Sequence, residues 1–390
     1  MVLTLVLPDE QTWTMAGLDP GPAEPVFEPA RARRLLLPDR VPDILRQPLA
    51  QMLASLPRGV ETIERRVPYP GAAGPHEAPM DDRPAEHDGH GGHDHGDMMA
   101  IVGDPSADGL VMEPIELRFG PLGTPLPAGI VADVTLDGDV VAAAQVQALF
   151  GADVAREVPD PLAPQAWRAT GAPGPDRWAQ LAAVELERAV SHTAWLRSFA
   201  RVLGWAELAE EATVALARLS GGRGDARDAL ERLADLAESS RRLRLRTGGR
   251  GRVPAGRARE LGLRGPSARA AGLPDDARSG DPLYRRLGFE PVVRSAGDAL
   301  ARTQVRAAEA VAAVELAAAA SARDDEGLRG DTARAVEGPR GPLRVAGGRL
   351  EAPGETAALA AAGEAMIGAE WGSALAVLAS FDLSPWRVTA

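Results

Sequence analysis

The chain has 390 residues, of which 45% are hydrophobic and 25% are charged, and its formal net charge is −12. This length predicts two or three domains, and the hydrophobic fraction is ordinary for folded proteins that bury a core. The negative charge argues against a nucleic-acid partner, because phosphate backbones select basic surfaces. Since the sequence contains no cysteine, disulfides, thiolate nucleophiles and cysteine-ligated iron–sulfur clusters are excluded for this chain.

Residues 1–75 are predicted to form a small α/β domain. Val2–Leu7 and Gly59–Val67 are candidate strands, and Val41–Leu56 has apolar residues at helical spacing. The apolar start lacks a basic segment and a cleavage site, so it indicates a strand and not a signal peptide. Because no window approaches the ~20 consecutive apolar residues of a membrane span, we expect a cytoplasmic chain.

Residues 76–97 are rich in Gly, Pro, Asp and His and contain almost no large apolar side chain. Such a segment cannot bury enough surface to offset its ordering entropy, which predicts a disordered linker and a domain boundary. His87, His90, His93 and His95 alternate there with aspartates, a composition that suits Zn²⁺ or Ni²⁺. The alternative is a linker of biased composition without a metal in the cell.

Residues 98–390 are predicted to form a second domain that begins with strands. Leu110–Phe119 is strand-like, and apolar residues alternate with others from Ile130 to Leu136. Asp137-Gly138 follows this alternation and precedes Val140. It predicts a hairpin with a type I′ turn, in which both central residues have positive φ.

Helical periodicity dominates the chain from Asp176 onward, so we predict an α+β fold that is mainly helical. A short hairpin is expected around Gly347-Gly348. The predicted helices are Asp176–Leu203, Trp205–Leu219, Asp225–Leu245, Asp298–Arg323, Ala357–Ile367 and Ser373–Phe381.

The first long helix carries Glu185, Arg188 and His192 at positions i, i+3 and i+7, so these side chains share a face with an aromatic stripe. A carboxylate and a guanidinium inside such a stripe must pair, because each alone is costly to bury. One interpretation is a polar network beside a redox or proton-transfer cavity. The favoured interpretation is a structural ion pair that locks two helices, with His192 as a satisfied core histidine.

Charged residues recur in the span from Gly262 to Glu309. Asp276 and Arg278 are placed to pair across a bend. Asp298 is a predicted helix N-cap. Arg302, Arg306 and Glu309 follow at spacings of four and three, so they form a line on one helical face that we expect to contact protein.

These residues, in this order, resemble the family that comprises the D subunit of complex I and the large subunits of membrane-bound nickel–iron hydrogenases. The resemblance extends from about residue 115 to the C-terminus. It implies a hydrogenase-large-subunit-like core with an N-terminal β-hairpin region. The motifs that carry it are Pro175-Asp176-Arg177-Trp178, Glu185-Leu186-x-Arg188-x-x-x-His192, Gly265-Pro266-x-x-Arg269-Ala270-x-Gly272, Asp276-x-Arg278, Pro282-x-Tyr284, Gly297-Asp298-x-x-x-Arg302-x-x-x-Arg306-x-x-Glu309 and Glu337-Gly338-Pro339-Arg340-Gly341.

The sequence departs from the family where the chemistry is expected. Hydrogenases hold nickel with cysteine thiolates, and this chain has none. Complex I has a Gly-Pro-x-His-Pro-x-x-His-Gly loop that contributes a histidine to the quinone site. The matching loop here, Gly120–Gly129, keeps its Gly-Pro start and its final glycine but contains no histidine. The tyrosine of the quinone site cannot be placed either, because Tyr69 and Tyr284 are the only tyrosines.

We therefore predict a divergent component of an NADH:quinone oxidoreductase or a related redox complex, similar to the D subunit, without nickel and not catalytic alone. The resemblance implies an iron–sulfur small subunit that carries a [4Fe–4S] cluster, and a location at the cytoplasmic face of the membrane through partner subunits. We expect no cofactor on this chain itself, and quinone is left open. The predicted polar skeleton of the cavity and interface comprises Glu185, Arg188, His192, Arg269, Asp276, Arg278, Asp298, Arg302, Arg306 and Glu309.

Two other functions remain open from the sequence. One is a non-catalytic assembly scaffold. The other is a metal-binding accessory protein that acts through His87, His90, His93 and His95.

Overall fold

The computed structural model of the chain describes residues 3–6, 12–15, 34–38, 61–65, 114–119, 130–148, 164–171, 176–220, 226–323, 335–346, 349–352 and 354–383. Three predictions lie outside these residues: the helix at Val41–Leu56, the linker at 76–97 with its histidines, and the loop Gly120–Gly129. The division of the chain into domains therefore stays a prediction.

Four short strands form one sheet near the N-terminus. They are β1 (Leu3–Val6), β2 (Thr12–Met15), β3 (Arg34–Pro38) and β4 (Glu61–Arg65), in the order β2-β1-β3-β4. β3 and β4 run parallel, and the other pairs are antiparallel. The strands β1 and β4 lie within the two predicted strand segments, whereas β2 and β3 had no clear signal in the sequence.

A second sheet holds β5 (Ile115–Phe119), β6 (Ile130–Asp137) and β7 (Val140–Ala148) in antiparallel order. The predicted hairpin between β6 and β7 is confirmed, but the predicted type I′ turn is wrong. The turn residues are Gly138 and Asp139, and positive φ occurs only at Gly138. This is the pattern of a type II′ turn, which needs glycine only at its first central position.

Helices follow the sheet. They are α1 (Pro164–Gly171), α2 (Arg177–Val202), α3 (Ala206–Ser220), α4 (Ala226–Ser239), α5 (Arg241–Thr247), α6 (Ala255–Leu261), α7 (Gly265–Ala270), α8 (Pro282–Arg286), α9 (Ala299–Ser321), α10 (Glu355–Met366) and α11 (Trp371–Ser380). A 3-10 turn at Ala277–Gly280 precedes α8, and strands β8 (Val336–Glu337), β9 (Pro342–Ala346) and β10 (Arg349–Glu351) lie between α9 and α10.

The predicted helix Asp225–Leu245 is wrong at one point, because the structure divides it into α4 and α5. Ser240 leaves the helical conformation, with ψ at 116°, and its hydroxyl accepts the Leu243 N–H at 3.2 Å. A serine in this position caps a new helix more readily than it continues an old one.

The two longest helices, α2 and α9, pack against each other and form the centre of the helical region. Buried alanines on α9, including Ala307, Ala310 and Ala313, allow the two backbones to approach closely. Both N-termini are capped by an aspartate, and the cap at Asp298 was predicted. Asp176 accepts the N–H groups of the first turn of α2, and Asp298 accepts the Ala301 N–H at 2.8 Å. Within the described residues, no helix combines the length and apolarity needed to cross a bilayer.

The chain approaches itself closely at Gly297, just before the N-cap of α9. Gly297 has φ of 67°, and a Cβ atom there would lie 2.2 Å from the Val253 carbonyl oxygen. Gly288 has a similar φ of 71° with open space around it. We expect Gly288→Ala to cost about 1–2 kcal/mol, the usual cost of a left-handed residue, and Gly297→Ala to cost clearly more. Denaturant unfolding of both variants measures the difference, and equal losses would contradict the predicted steric conflict.

Candidate functional site

The ten predicted skeleton residues are all buried, none with more than 6% of its surface exposed. Seven of them lie in one continuous network of ion pairs and hydrogen bonds between α2, α7, α9 and the 3-10 turn. These seven are Glu185, Arg188, His192, Arg269, Asp276, Arg278 and Glu309. The network also includes Tyr284 and Glu337, which were not in the predicted skeleton.

Glu185 of α2 is at one end of the network. Its Oε2 accepts from Arg188 Nε at 3.1 Å and from Arg278 Nη1 at 3.2 Å. Its Oε1 accepts the Tyr284 hydroxyl at 2.6 Å. Burial and the neighbouring carboxylate of Glu185 hold the pKa of Tyr284 well above its usual range. This tyrosine is therefore a neutral hydrogen-bond donor to a carboxylate.

Arg188 ties α2 to the strand that follows α9. Its Nη1 donates to the Gly338 carbonyl at 2.9 Å and its Nη2 to the Glu337 carbonyl at 2.5 Å. The predicted Glu-x-Pro-Arg-Gly turn thus returns to the core and satisfies a buried guanidinium with backbone oxygens. Within the turn, the Gly338 N–H donates to the Gly341 carbonyl at 2.8 Å.

Arg269, at the end of α7, lies between three carboxylates. Its Nε donates to Glu309 Oε1 at 2.6 Å, and its Nη1 lies 2.8 Å from Glu337 Oε1 and 2.9 Å from Asp276 Oδ2. Burial opposes the charge of this guanidinium, but Glu309, Asp276 and Glu337 outweigh burial and raise its pKa. Arg269 therefore remains a cation and is the centre of the network.

The predicted pair of Asp276 and Arg278 is confirmed as a bidentate contact, with Arg278 Nε and Nη2 donating to the two carboxylate oxygens at 2.9 and 2.8 Å. Although burial acts to raise the pKa of Asp276, Arg278 and Arg269 lower it. The Arg278 guanidinium also stacks 4.2 Å from the centre of the Phe289 ring. The planar cation is thus held on one edge by charge and on one face by an aromatic ring.

Glu309 of α9 connects the network to His192. Its Oε2 lies 3.0 Å from His192 Nε2, and burial would raise its pKa, but Arg269 and the His192 hydrogen bond hold the pKa well below its usual range. Burial lowers the pKa of His192 to about 4, although the Glu309 hydrogen bond opposes this. The imidazole is therefore neutral at pH 7 and donates its Nε2 hydrogen to a carboxylate. Within the described residues, its buried Nδ1 has no hydrogen-bond partner.

The pKa of Glu337 shifts in the direction opposite to those of Asp276 and Glu309. Burial raises its pKa, and the nearby charge of Asp276 adds to the shift against the effect of Arg269. Its Oε2 accepts the Ala277 N–H at 3.1 Å, which fixes the start of the 3-10 turn. The sequence contained a signal for this residue, because it belongs to the Glu-x-Pro-Arg-Gly motif.

Arg302 and Arg306 of α9 form a second cluster. Arg302 donates to Ser380 Oγ at 2.9 Å, and its guanidinium lies 4.0 Å from the Phe381 ring centre. Arg306 Nη2 donates to the Phe381 carbonyl at 3.0 Å, and Arg306 lies 4.6 Å from the Trp195 ring centre. These two arginines therefore hold the segment after α11 and do not join Glu309 in one ion-pair line.

Both arginines of this cluster are cations despite their burial. Burial lowers the pKa of Arg302 to about 9, and the charge of Arg306 adds to that effect. Burial also lowers the pKa of Arg306 to about 10, against the attraction of Asp382. Asp382 has φ of 55°, unusual for a residue with a side chain, and its carboxylate lies 3.8 Å from Arg306 Nε and 3.5 Å from Arg340 Nε.

The remaining predicted site residues do not join either cluster. Asp298 caps α9, and its Oδ2 accepts the Gly249 N–H at 2.6 Å. The metal candidates His87, His90, His93 and His95 lie outside the described residues. Among the described residues, no group of three or more His, Asp or Glu side chains is arranged to hold a metal ion.

The fold is similar to that of a chain in a respiratory membrane complex. A chain of the membrane-bound sulfane sulfur reductase, an archaeal respiratory complex, superimposes with a TM-score of 0.55, covering 70% of this chain and 97% of that one. At 20% sequence identity, this likeness supports the fold alone. It agrees with the predicted α+β, mainly helical architecture.

Sequence comparisons show likeness to named proteins over part of the chain. Residues 203–345 match the family of the respiratory-chain NADH dehydrogenase 49 kDa subunit. The chain is 46% identical over 65 residues to the D subunit of the F420H2 dehydrogenase of Methanosarcina mazei. It is 40% identical over 83 residues to the D subunit of the NADH-quinone oxidoreductase of Leptospira biflexa. These segments are 16% and 21% of this chain and 17% and 20% of the two relatives. The predicted resemblance to the family of the complex I D subunit is confirmed.

Replacing a central arginine tests the energetic role of the network. Arg269→Ala would leave three carboxylates without their shared cation, and we expect a loss of about 3–5 kcal/mol in unfolding free energy, as for other broken buried pairs. Arg302→Ala should also destabilise the fold, because it removes the contacts to Ser380 and Phe381. Arg257→Ala is the control, since Arg257 pairs with Glu364 on the surface and should matter little. Denaturant unfolding measures all three, and wild-type stability of Arg269→Ala would refute a structural role.

The neutral state of His192 predicts a dependence of stability on pH. The pKa of this histidine is about 4 in the folded chain and ordinarily 6.5. Between these two pH values, the unfolded chain therefore binds a proton at His192 and the folded chain does not. The contribution of His192 is therefore fully present above pH 6.5 and is lost as pH falls towards 4, by up to ~3 kcal/mol.

A matched variant separates this effect from the carboxylates of the network. Glu309 and Asp276 have lowered pKa values, so their contributions are lost at more acidic pH than that of His192. In His192→Gln, which keeps a donor for Glu309, the stability change between pH 7 and pH 5 should be much smaller than in the wild type. Equal pH profiles for the two proteins would contradict the assignment.

Proposed function

We propose that the chain is a component, similar to the D subunit, of a membrane-associated NADH:quinone oxidoreductase or a related redox complex, without nickel and with a degenerate quinone site. The observation that carries the proposal is the buried network centred on Arg269 and Glu309. It is assembled from the motifs on which the family resemblance rests. The named relatives are D subunits of an F420H2 dehydrogenase and an NADH-quinone oxidoreductase, and the structural neighbour is a chain of a respiratory membrane complex. These likenesses support the assignment of this chain to such an assembly.

The chemistry of the network favours a structural role. The carboxylates of Glu185, Asp276, Glu309 and Glu337 each have a guanidinium within 3.2 Å. Quinone reduction needs a proton donor within hydrogen-bond reach of a carbonyl oxygen. The Tyr284 hydroxyl is bonded to Glu185, and His192 gives its Nε2 hydrogen to Glu309. Neither group is therefore available as a donor to a ligand in this arrangement.

The segment after α11 supports the loss of nickel chemistry. The resemblance places the second cysteine pair of hydrogenases near Phe381-Asp382-Leu383. Here Asp382 lies beside Arg306 and Arg340, so an ion pair occupies the region where the relatives of hydrogenase type bind a metal. Carboxylates are hard ligands and do not replace thiolates for low-valent nickel.

The proposed assembly includes an iron–sulfur small subunit with a [4Fe–4S] cluster, which would pack against the helical core. The chain would reach the cytoplasmic face of the membrane through such partners. The pairing of each carboxylate of the network with a guanidinium also fits a non-catalytic assembly scaffold, which is the second candidate. The two differ in whether electrons pass through the assembled complex.

Purification of the tagged full chain from membranes of its own cells tests the proposal. We expect it to co-purify in constant proportion with an iron–sulfur polypeptide whose [4Fe–4S] cluster is visible by electron paramagnetic resonance. Recovery of the chain without any redox subunit would exclude both the complex-component and the scaffold candidates. A complex with the cluster but without electron transfer to quinone would favour the scaffold.

Photoaffinity labelling with a quinone analogue tests the degenerate site separately. In the purified complex, we expect the label on other polypeptides and not on this chain. Labelling of this chain that free quinone suppresses would show that a quinone site persists, and would leave the membership of the complex intact. Detergent-solubilised complex kept in the dark with the analogue serves as the control.

The histidine tract is proposed as a separate metal-binding segment. Calorimetric titration of Zn²⁺ and Ni²⁺ should show binding to the full chain and no binding after deletion of residues 76–97, since imidazole and carboxylate suit both ions. Unchanged binding after the deletion would place the metal ligands elsewhere in the chain.

A further inference from the structure

One stretch of the surface has a charge opposite to that of the whole chain. Within the twelve residues 241–252, which form α5 and the loop after it, the sequence has six arginines and no acidic residue, although the net charge of the chain is −12. All six arginines are exposed. The residues of this arginine surface are Arg241, Arg242, Arg244, Arg246, Arg250 and Arg252.

The arginine surface lacks the counter-charges found elsewhere. The exposed side chains of Arg227, Arg257 and Arg344 each meet a carboxylate, at 2.8, 2.5 and 2.6 Å respectively. Among the residues that the structure describes, none of the six arginines forms an ion pair. Their positive charge is therefore uncompensated within this part of the chain.

Several of these side chains are held in place by backbone carbonyls. Arg246 Nη1 donates to the Leu203 carbonyl at 2.7 Å, and Arg242 Nη2 donates to the Gly204 carbonyl at 3.3 Å. Arg244 Nη2 donates to the Glu238 carbonyl at 3.2 Å. A guanidinium has five N–H donors, so each keeps others for a ligand. Side chains ordered before binding lose less entropy when a partner docks.

The backbone beneath the arginine surface is fixed to the core. Leu243 and Thr247 of α5 are fully buried. The Arg250 carbonyl accepts the Ala299 N–H at 3.0 Å, and the Gly251 carbonyl accepts Arg302 Nη2 at 3.0 Å. The exposed arginines therefore project from a rigid base at the start of α9.

Leu245 lies among these arginines and is 67% exposed, more than any other large hydrophobic residue described. An exposed apolar side chain ringed by arginines has the composition of a protein-binding anchor, where one residue fills a pocket and charges surround it. Insertion of a single leucine into lipid would gain only about 2–3 kcal/mol. The arrangement thus fits a folded partner better than a membrane surface.

We propose that the arginine surface docks an acidic partner polypeptide, which presents carboxylates around an apolar pocket that receives Leu245. The proposal rests on the proposed function in one respect, namely that the partner is a subunit of the same redox complex. Guanidinium groups pair with carboxylates in a planar, bidentate manner, so the partner's acidic residues would determine both orientation and specificity.

A photo-reactive amino acid at position 245 identifies the partner. The full chain with p-benzoylphenylalanine in place of Leu245 is irradiated in its own cells, and the adduct is mapped by mass spectrometry. We expect one polypeptide, cross-linked at a segment rich in Asp and Glu. The double substitution Arg244→Glu and Arg246→Glu should lower the adduct yield by at least about tenfold, because like charges would then meet across the interface.

Two further variants control for folding and for total charge. Arg241→Glu with Arg252→Glu removes no hydrogen bond described for these side chains and should also reduce the adduct. Arg259→Glu with Arg285→Glu changes two exposed arginines outside this surface by the same charge, and should leave the yield unchanged. A compensating change in the partner completes the support. When the carboxylates that the partner presents are replaced by arginine, the chain with Arg244→Glu and Arg246→Glu should form the adduct again.

Several results would overturn the proposal. They are an adduct on a segment without acidic residues, an adduct yield that is unaffected by either charge reversal, and adducts with lipid alone. Cosedimentation with phosphatidylglycerol vesicles that depends on Arg244 and Arg246 would assign the arginine surface to a membrane instead.

If the tagged wild-type chain captures no redox subunit, the proposed function fails. If the charge-reversed chain still assembles normally, only the docking proposal fails.

Discussion

The contact between Arg269 and Glu309 is the interaction on which the helical region depends. It joins α7 to α9 at 2.6 Å in the protein interior, where neither charge is accessible to water. The attraction between two buried charges offsets their desolvation only when neighbouring groups supply further hydrogen bonds and counter-charges. Glu337 and Asp276 provide further counter-charges for the arginine, and His192 donates to the carboxylate. The positions of α2, α9 and the turn at Glu337 are therefore interdependent.

The same constraint limits what the region can do chemically. A proton-transfer site needs a group whose two protonation states are close in free energy near neutral pH. Here arginines stabilise the ionised form of Glu309, and burial stabilises the neutral form of His192. A related protein that transfers protons in this region would need carboxylates or histidines with fewer neighbouring counter-charges. The absence of histidines from Gly120–Gly129 is consistent with a network in which each carboxylate is paired with a guanidinium.

Local chemistry made some elements predictable. The N-cap Asp298 was identified because an aspartate before an apolar-periodic segment accepts orphan N–H groups whatever the tertiary context. The break at Ser240 was missed, because the apolar spacing continues through Leu243 into α5. Tyr284 and Glu337 were absent from the predicted skeleton since their partners are distant, 99 and 68 residues away in sequence. The order of motifs indicated the family, but only the fold shows which guanidinium meets which carboxylate.

The contact of Arg306 with the Phe381 carbonyl has a consequence for synthesis of the chain on the ribosome. The two residues are separated by 75 positions, which corresponds to roughly 4–15 s of translation at typical rates. During that interval α9 has been made, but the backbone oxygens that receive its cation have not. The contacts of this helix therefore stay incomplete until Phe381 has been made, so the helical region cannot be fully formed before that point of synthesis.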